Sequence, residues 1–178
     1  MVDFIANEIK YLLDTNAITH LIVTGLDRSG KSTFISTLYN KYNVYKSSGH
    51  DFVDLNKLSK YYKIFDRHPY IESYVYRGEF FHQNKIRTDE DYELLKQHNL
   101  NQIKKIFNNA AFLFVLDPKY RNMRDDEFVL DSYDKELTRR YKIMANEIYS
   151  VTDNSIVYVI EPSNLLRLNH IQESLIGD

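Results

Sequence analysis

The 178-residue chain contains no cysteine. That excludes disulfides, thiolate nucleophiles and cysteine metal sites, and it suits a reducing compartment, so a cytoplasmic setting is the expectation. Proline and glycine are scarce, at three and five residues. No Pro/Gly/Ser linker, repeat or low-complexity tract divides the chain, and one domain over residues 1–178 is expected. No apolar run approaches the ~20 residues of a membrane span. The first residues carry Asp3, Glu8 and Asp14 rather than the apolar stretch of a signal peptide, and no membrane partner is expected. Neither sign of charge dominates: the formal net charge is -2. No bulk field draws such a chain onto nucleic acid, although local basic patches remain compatible with it.

What is present is enough to build a core. Hydrophobic residues make up 43 % of the chain, which argues against global disorder. Strands and helices alternate. Helical spacing is read over 3–15, 31–42, 51–60, 70–77, 88–109 and 133–149, and a last helix is expected to start at Ser163 or Asn164. Thr88 followed by Asp89, Glu90 and Asp91 is a strong helix start. Strands are expected at 20–25, 43–46, 61–68, 110–118 and 155–160, several of them apolar throughout. That pattern predicts an α/β fold in three layers, a parallel sheet covered by helices on both faces. Ligands of such sheets sit beyond the carboxyl ends of the strands.

One of those ends carries the most specific motif. Residues 21–33 read LIVTGLDRSGKST. Gly25 to Ser32 fit G-x-x-x-x-G-K-[ST], with a strand before and a helix after. The glycines let backbone N–H groups turn inward onto phosphate oxygens. Lys31 is expected to reach the β- and γ-phosphates of ATP, and the Ser32 hydroxyl to ligate Mg²⁺. Gly25, Asp27, Arg28, Ser29, Gly30, Lys31, Ser32 and Thr33 form the expected nucleotide-binding set. Arg28 is placed to meet the phosphoryl group in flight, with a surface ion pair as its plainer role.

Such a loop serves switches, motors and kinases. A guanine-reading Asn-Lys-x-Asp is missing; LNKLSK at 55–60 lacks the Asp. The apolar strand FLFVLDP, 112–118, is followed by Lys119 rather than by the second acid of an ATPase motor. A small kinase needs an acid near the acceptor or the metal, an arginine for the acceptor, and an arginine-bearing lid. Asp66 and Arg67 supply the first two, with Asp66 a second candidate Mg²⁺ ligand. Arg121 and Arg124, in the charged segment 119–131, supply the lid contacts to ATP. A structural ion pair for Asp66-Arg67 and a solvated loop for 119–131 are the alternatives.

These residues carry a family resemblance. The chain resembles the thymidylate kinase-like branch of P-loop nucleoside and nucleotide kinases. The loop of that family often reads G-x-D-R-x-G-K-[ST]-T, as Gly25 to Thr33 do. Its Asp-Arg motif matches Asp66-Arg67-His68, its fourth strand end matches Leu116-Asp117-Pro118, and a later helix matches YDKELTRRYKIMA at 133–145. The likeness runs in order over about residues 20–176. It implies a P-loop NTPase fold with a short lid. It also implies phosphoryl transfer from ATP, with Asp66 at the acceptor oxygen or on Mg²⁺ and Arg67 on acceptor phosphate. Arg139 or Arg140 is a weaker candidate contact. The segment DRHPYIESYVY, 66–76, is also similar to stretches of deoxynucleoside and phage nucleotide kinases. After the second strand, where many thymidylate kinases carry an arginine-bearing segment, this chain has VYKSSGHDF (44–52), with Lys46 its only cation. The acceptor therefore stays open among a nucleoside, a nucleoside monophosphate and a modified base in DNA. An ATPase or GTPase module without a small acceptor is the other reading. Members of the family are often dimers, so a homodimer is an expectation from resemblance alone.

Two further groups stand outside this pattern. His50-Asp51 is reminiscent of metal phosphohydrolases but lacks a second histidine and acid at suitable spacing. Tyr70, Tyr74, Tyr76, Phe80 and Phe81 can stack a base, although most are expected in the core.

Overall fold

The computed structural model describes residues 2–27, 29–38, 41–47, 54–76, 88–117, 132–162 and 164–169. Six strands form one sheet: β1 (His20–Gly25), β2 (Val44–Lys46), β3 (Ile64–Asp66), β4 (Ala110–Val115), β5 (Ile156–Glu161) and β6 (Asn164–Asn169). Their spatial order is β2-β3-β1-β4-β5-β6. The first five run parallel, and β6 pairs antiparallel with β5. The helices are α1 (Val2–Asp14), α2 (Lys31–Ser36), α3 (Leu55–Tyr61), α4 (Pro69–Val75), α5 (Asp89–Phe107) and α6 (Ser132–Val151).

β1 and β4 are buried at every position. Alternate residues point to opposite faces, so burial at every position means cover on both sides. Leu21, Val23, Leu113 and Ile156 pack with Ile5, Ile9 and Leu12 of α1 and Phe34 and Ile35 of α2. Ile22, Phe65, Phe112 and Val157 pack with Ile71 of α4, Ile103 and Phe107 of α5, and Tyr141 and Met144 of α6. The result is three layers, as expected from the alternating pattern. The Thr88 cap also forms, its hydroxyl accepting from Asp91 N–H at 3.1 Å.

Several boundaries differ from expectation. The helix read over 31–42 ends at Ser36, with Thr37 and Leu38 in a turn. The strand read over 61–68 keeps only 64–66. Tyr61 belongs to α3, and Arg67 turns the chain with a left-handed φ of 67°. The helix expected from Ser163 or Asn164 is instead β6, so the sheet is mixed rather than wholly parallel. Leu165 and Leu168 stand three apart, a spacing that suits a helix and a strand alike in so short a run. Pairing decides it: Leu168 faces Val157 and Leu165 faces Ile160, each on its own side of the sheet. β6 thereby covers the open edge of β5. Arg167 adds an ion pair to Glu8 of α1 at 2.5 Å, and Tyr158 donates to the same carboxylate at 2.8 Å.

The connections set where a ligand can sit. From β1 the chain runs through α2 on one face to β2. From β3 it runs through α4 and α5 on the other face, past β1, to β4. Successive connections thus leave the neighbourhood of β1 in opposite directions. The crevice at its carboxyl end is a topological switch point, the usual ligand position in open α/β sheets.

Candidate functional site

The loop after β1 is built by its two glycines. Gly25 has φ +132°, and a Cβ there would meet the Val115 backbone of β4, 2.7 Å from the carbonyl carbon and 2.8 Å from the nitrogen. Only a residue without a side chain lets β1 end against β4 in this way. Leu26 N–H then donates to the Val115 carbonyl at 3.1 Å, fixing the start of the loop. Gly30 has φ 88° and turns the chain into α2, whose Phe34 and Ile35 anchor it in the core.

Lys31 points back into this loop. Its ammonium donates to the carbonyls of Gly25, at 3.0 Å, and Leu26. The side chain is buried at 6 % exposure. Burial, with the nearby Arg67 guanidinium adding to it, pulls its pKa down to about 8 against the pull of Glu72, Asp27 and Asp66. Lys31 therefore meets a field of mixed sign at the carboxyl ends of β1 and β3.

β3 delivers the second half of the site. Asp66 ends the strand half-buried, and its carbonyl accepts from Ser47 N–H at 3.0 Å. Arg67 follows in the left-handed region, held by its N–H to the Val23 carbonyl at 2.8 Å. Its guanidinium bridges two acids, Asp27 of the loop and Glu72 of α4, the latter at 3.5 Å. Burial works against the guanidinium's charge, but Glu72, Tyr141 and Asp27 outweigh it and the net shift is upward. His68 points the other way. It is fully buried among Phe65, Phe107 and Tyr70, and its Nδ1 caps α4 by accepting from Tyr70 N–H at 3.2 Å. Burial lowers its pKa to about 3, so it stays neutral.

Ser29, Gly30, Lys31, Ser32, Thr33, Asp66 and Arg67 line one cleft of ≈ 380 Å³. A larger hollow of ≈ 710 Å³ runs along β2 and α3, lined by Asn43, Val44, Asp54, Lys57, Leu58, Tyr61 and Tyr62. Its acid is occupied, since Asp54 caps α3 by accepting from Lys57 N–H. The smaller cleft, at the switch point and beside clustered charge, is the stronger candidate.

The structure thus brings Lys31, Ser32, Thr33, Ser29, Gly30, Asp66 and Arg67 together, with Gly25 and Asp27 beside them. Arg28, Arg121, Arg124, the lid segment at 119–131, His50, Asp51, Phe80 and Phe81 lie outside the described residues. Arg139 is exposed and pairs with Glu136 at 2.7 Å. Arg140 is buried and donates to the Val75 carbonyl at 2.6 Å, tying α6 to the end of α4. Tyr74 and Tyr76 are buried, and Tyr74 stacks on Tyr92 at 4.6 Å. Lys46 ends β2 and is exposed.

Sequence reasoning passed over the buried carboxylate at the centre. Glu72 is 4 % exposed. Thr24 donates to one oxygen, and Tyr141 donates to the other at 2.8 Å. Burial raises its pKa against the opposing pull of Arg67, Thr24, Tyr141 and Lys31. One signal was there to find. Pro69, Val75 and Tyr76 stand at helical spacing from Glu72 and are all buried, so the acid sits on the apolar stripe of α4.

Among the described residues, no cluster of three or more His, Cys, Asp or Glu side chains is placed to hold a metal. Ser32 and Asp66 line the same cleft and are hard oxygen donors. That pair fits Mg²⁺, which is commonly held by one or two protein oxygens, with phosphate oxygens and water completing its shell.

Fold and site define a class: a six-stranded, mostly parallel α/β sheet flanked by helices, with a glycine loop and a charged cleft at its switch point. The chain matches no family model, no curated protein and no solved structure. No described helix is long and apolar enough to cross a membrane.

Proposed function

We propose that the protein is an ATP- and Mg²⁺-dependent phosphotransferase of the P-loop kinase type, acting on a nucleoside or nucleoside monophosphate. One observation carries the reading: the Ser29–Thr33 loop and the distant Asp66-Arg67 pair line a single cleft at the switch point. An acid and an arginine across from a phosphate loop supply the groups that chemistry at the γ-phosphate calls for. Transfer to an acceptor uses them to hold the two reactants in line and to neutralise the moving charge.

In this reading the backbone of residues 25–33 cradles the phosphates. Lys31 exchanges the Gly25 and Leu26 carbonyls for phosphate oxygens. Ser32 and Asp66 hold Mg²⁺, which when bound neutralises phosphoryl charge. Asp66, in the same cleft, is the group this reading offers to the acceptor oxygen, and Arg67 beside it the group offered to phosphate oxygens. Cytoplasmic deoxynucleotide metabolism is the setting that this chemistry suits.

The test is incubation with γ-labelled ATP, Mg²⁺ and a panel of nucleosides and nucleoside monophosphates. Label in a nucleotide product supports the reading. ATP loss without a labelled acceptor favours a module that hydrolyses ATP for a macromolecular partner. Label appearing only on DNA would move the acceptor to a modified base.

A further inference from the structure

We propose that Glu72 is the positioning residue for Arg67: its buried carboxylate, anchored by Thr24 and Tyr141, holds the guanidinium at the rim of the cleft beside Lys31. The catalytic consequence rests on the phosphotransfer reading above; the fixed guanidinium does not.

A carboxylate at 4 % exposure is an expensive choice for a helix face that packs on a sheet. Packing alone does not call for it, since apolar residues of similar volume fill such places as well or better. What the acid adds is direction. One oxygen takes the hydroxyl of Thr24, the residue just before Gly25 on β1. The other takes Tyr141 of α6 at 2.8 Å and faces Arg67 Nη1 at 3.5 Å. Both anchors sit on rigid elements, so the carboxylate cannot turn away. Arg67 is fixed at its other end too. Its φ of 67° is rare for a residue with a side chain, and its N–H is bonded to Val23. Backbone and side-chain tip are therefore set independently, and the flexible stem between them has little freedom left.

The two acids that hold Arg67 are unequal. Glu72 is shielded, whereas the Asp27 side chain is 63 % exposed and sits on the loop. Anionic phosphate can replace Asp27 at the guanidinium without disturbing Glu72. Arg67 then meets phosphoryl oxygens already oriented, and the ordering cost is met by the fold rather than at the moment of reaction.

Glu72→Gln keeps the shape and one acceptor but removes the charge and turns an amide toward the remaining donors. The expected result is a fall in kcat of about a hundredfold, as for a misplaced catalytic group, with KM for ATP changed by less than about threefold. In an Arg67→Ala background the same substitution should add less than about threefold, because both changes remove one interaction. Equal losses in the two backgrounds would overturn the proposal, since a purely structural acid acts independently of Arg67. A second measurement needs neither turnover nor the Glu72→Gln variant. In ¹⁵N spectra of the wild-type protein, the Arg67 guanidinium, assigned with Arg67→Lys, should show slowed rotation relative to that of free arginine. An averaged Arg67 signal contradicts the fixed geometry even if Glu72→Gln does not fold. If the wild-type protein labels no acceptor, the phosphotransfer reading fails, and the guanidinium spectrum still decides whether Arg67 is held.

Discussion

Gly25→Ala should damage the fold at its centre. The new Cβ would be driven into the Val115 backbone, 2.7 Å from its carbonyl carbon and 2.8 Å from its nitrogen. Backbone of a central strand cannot swing aside as a side-chain tip can. Two costs add. Holding a non-glycine residue at φ +132° costs about 2 kcal/mol. Forcing an extra carbon into a packed interior costs about 2 kcal/mol more. The sum, about 4 kcal/mol, is a large part of the 5–15 kcal/mol typical of a domain. With a urea slope of about 2 kcal/mol per M, the unfolding midpoint should fall by about 2 M. Equilibrium urea unfolding, followed by far-UV circular dichroism, measures this directly. A midpoint within about 0.3 M of wild type, at unchanged slope, refutes the close approach of loop and β4 on which the site rests.

Three further outcomes follow from the same geometry. Lys31→Ala should abolish phosphoryl transfer while leaving the circular dichroism spectrum unchanged; normal turnover in that variant contradicts the role given to the loop. The lowered pKa of Lys31, about 8, means that the free protein loses the ammonium as pH rises through that value. kcat/KM for ATP, which reports the free enzyme, should therefore fall above pH about 8. kcat should hold to higher pH, because bound phosphate raises the Lys31 pKa again. Tyr141→Phe deletes a 2.8 Å donor to buried Glu72 and should cost about 1–3 kcal/mol at slightly alkaline pH. The loss should shrink on acidification. The folded pKa of Glu72 lies above the ordinary glutamate range, so protonation relieves the missing bond before exposed glutamates titrate. Denaturant unfolding at two pH values checks the sign.

Some of this was legible in the chain and some was not. β1 and β4 could be read because their apolar runs are continuous and each stops at a clear signal, Gly25 or Asp117-Pro118. The loop could be read because its glycines answer to local backbone geometry. Asp66 and Arg67 could be read as a strand end, but the pairing of Arg67 with Asp27 and Glu72, 40 and 5 positions away, could not. β6 was misread because two leucines at a shared spacing cannot report the open edge of β5. The place of Glu72 on the apolar stripe of α4 was a local sign of burial that went unread, but only Thr24 and Tyr141, 48 and 69 positions away, make it the centre of the site.

The central claim is that a phosphoryl group leaves ATP for a small acceptor held across the cleft from Lys31. Incubating wild-type protein and the Lys31→Ala variant with γ-labelled ATP, Mg²⁺ and the acceptor panel tests it most directly. The account predicts a labelled nucleotide product with wild type and none with the variant. ATP consumed without any labelled acceptor, or equal labelling by both proteins, contradicts it.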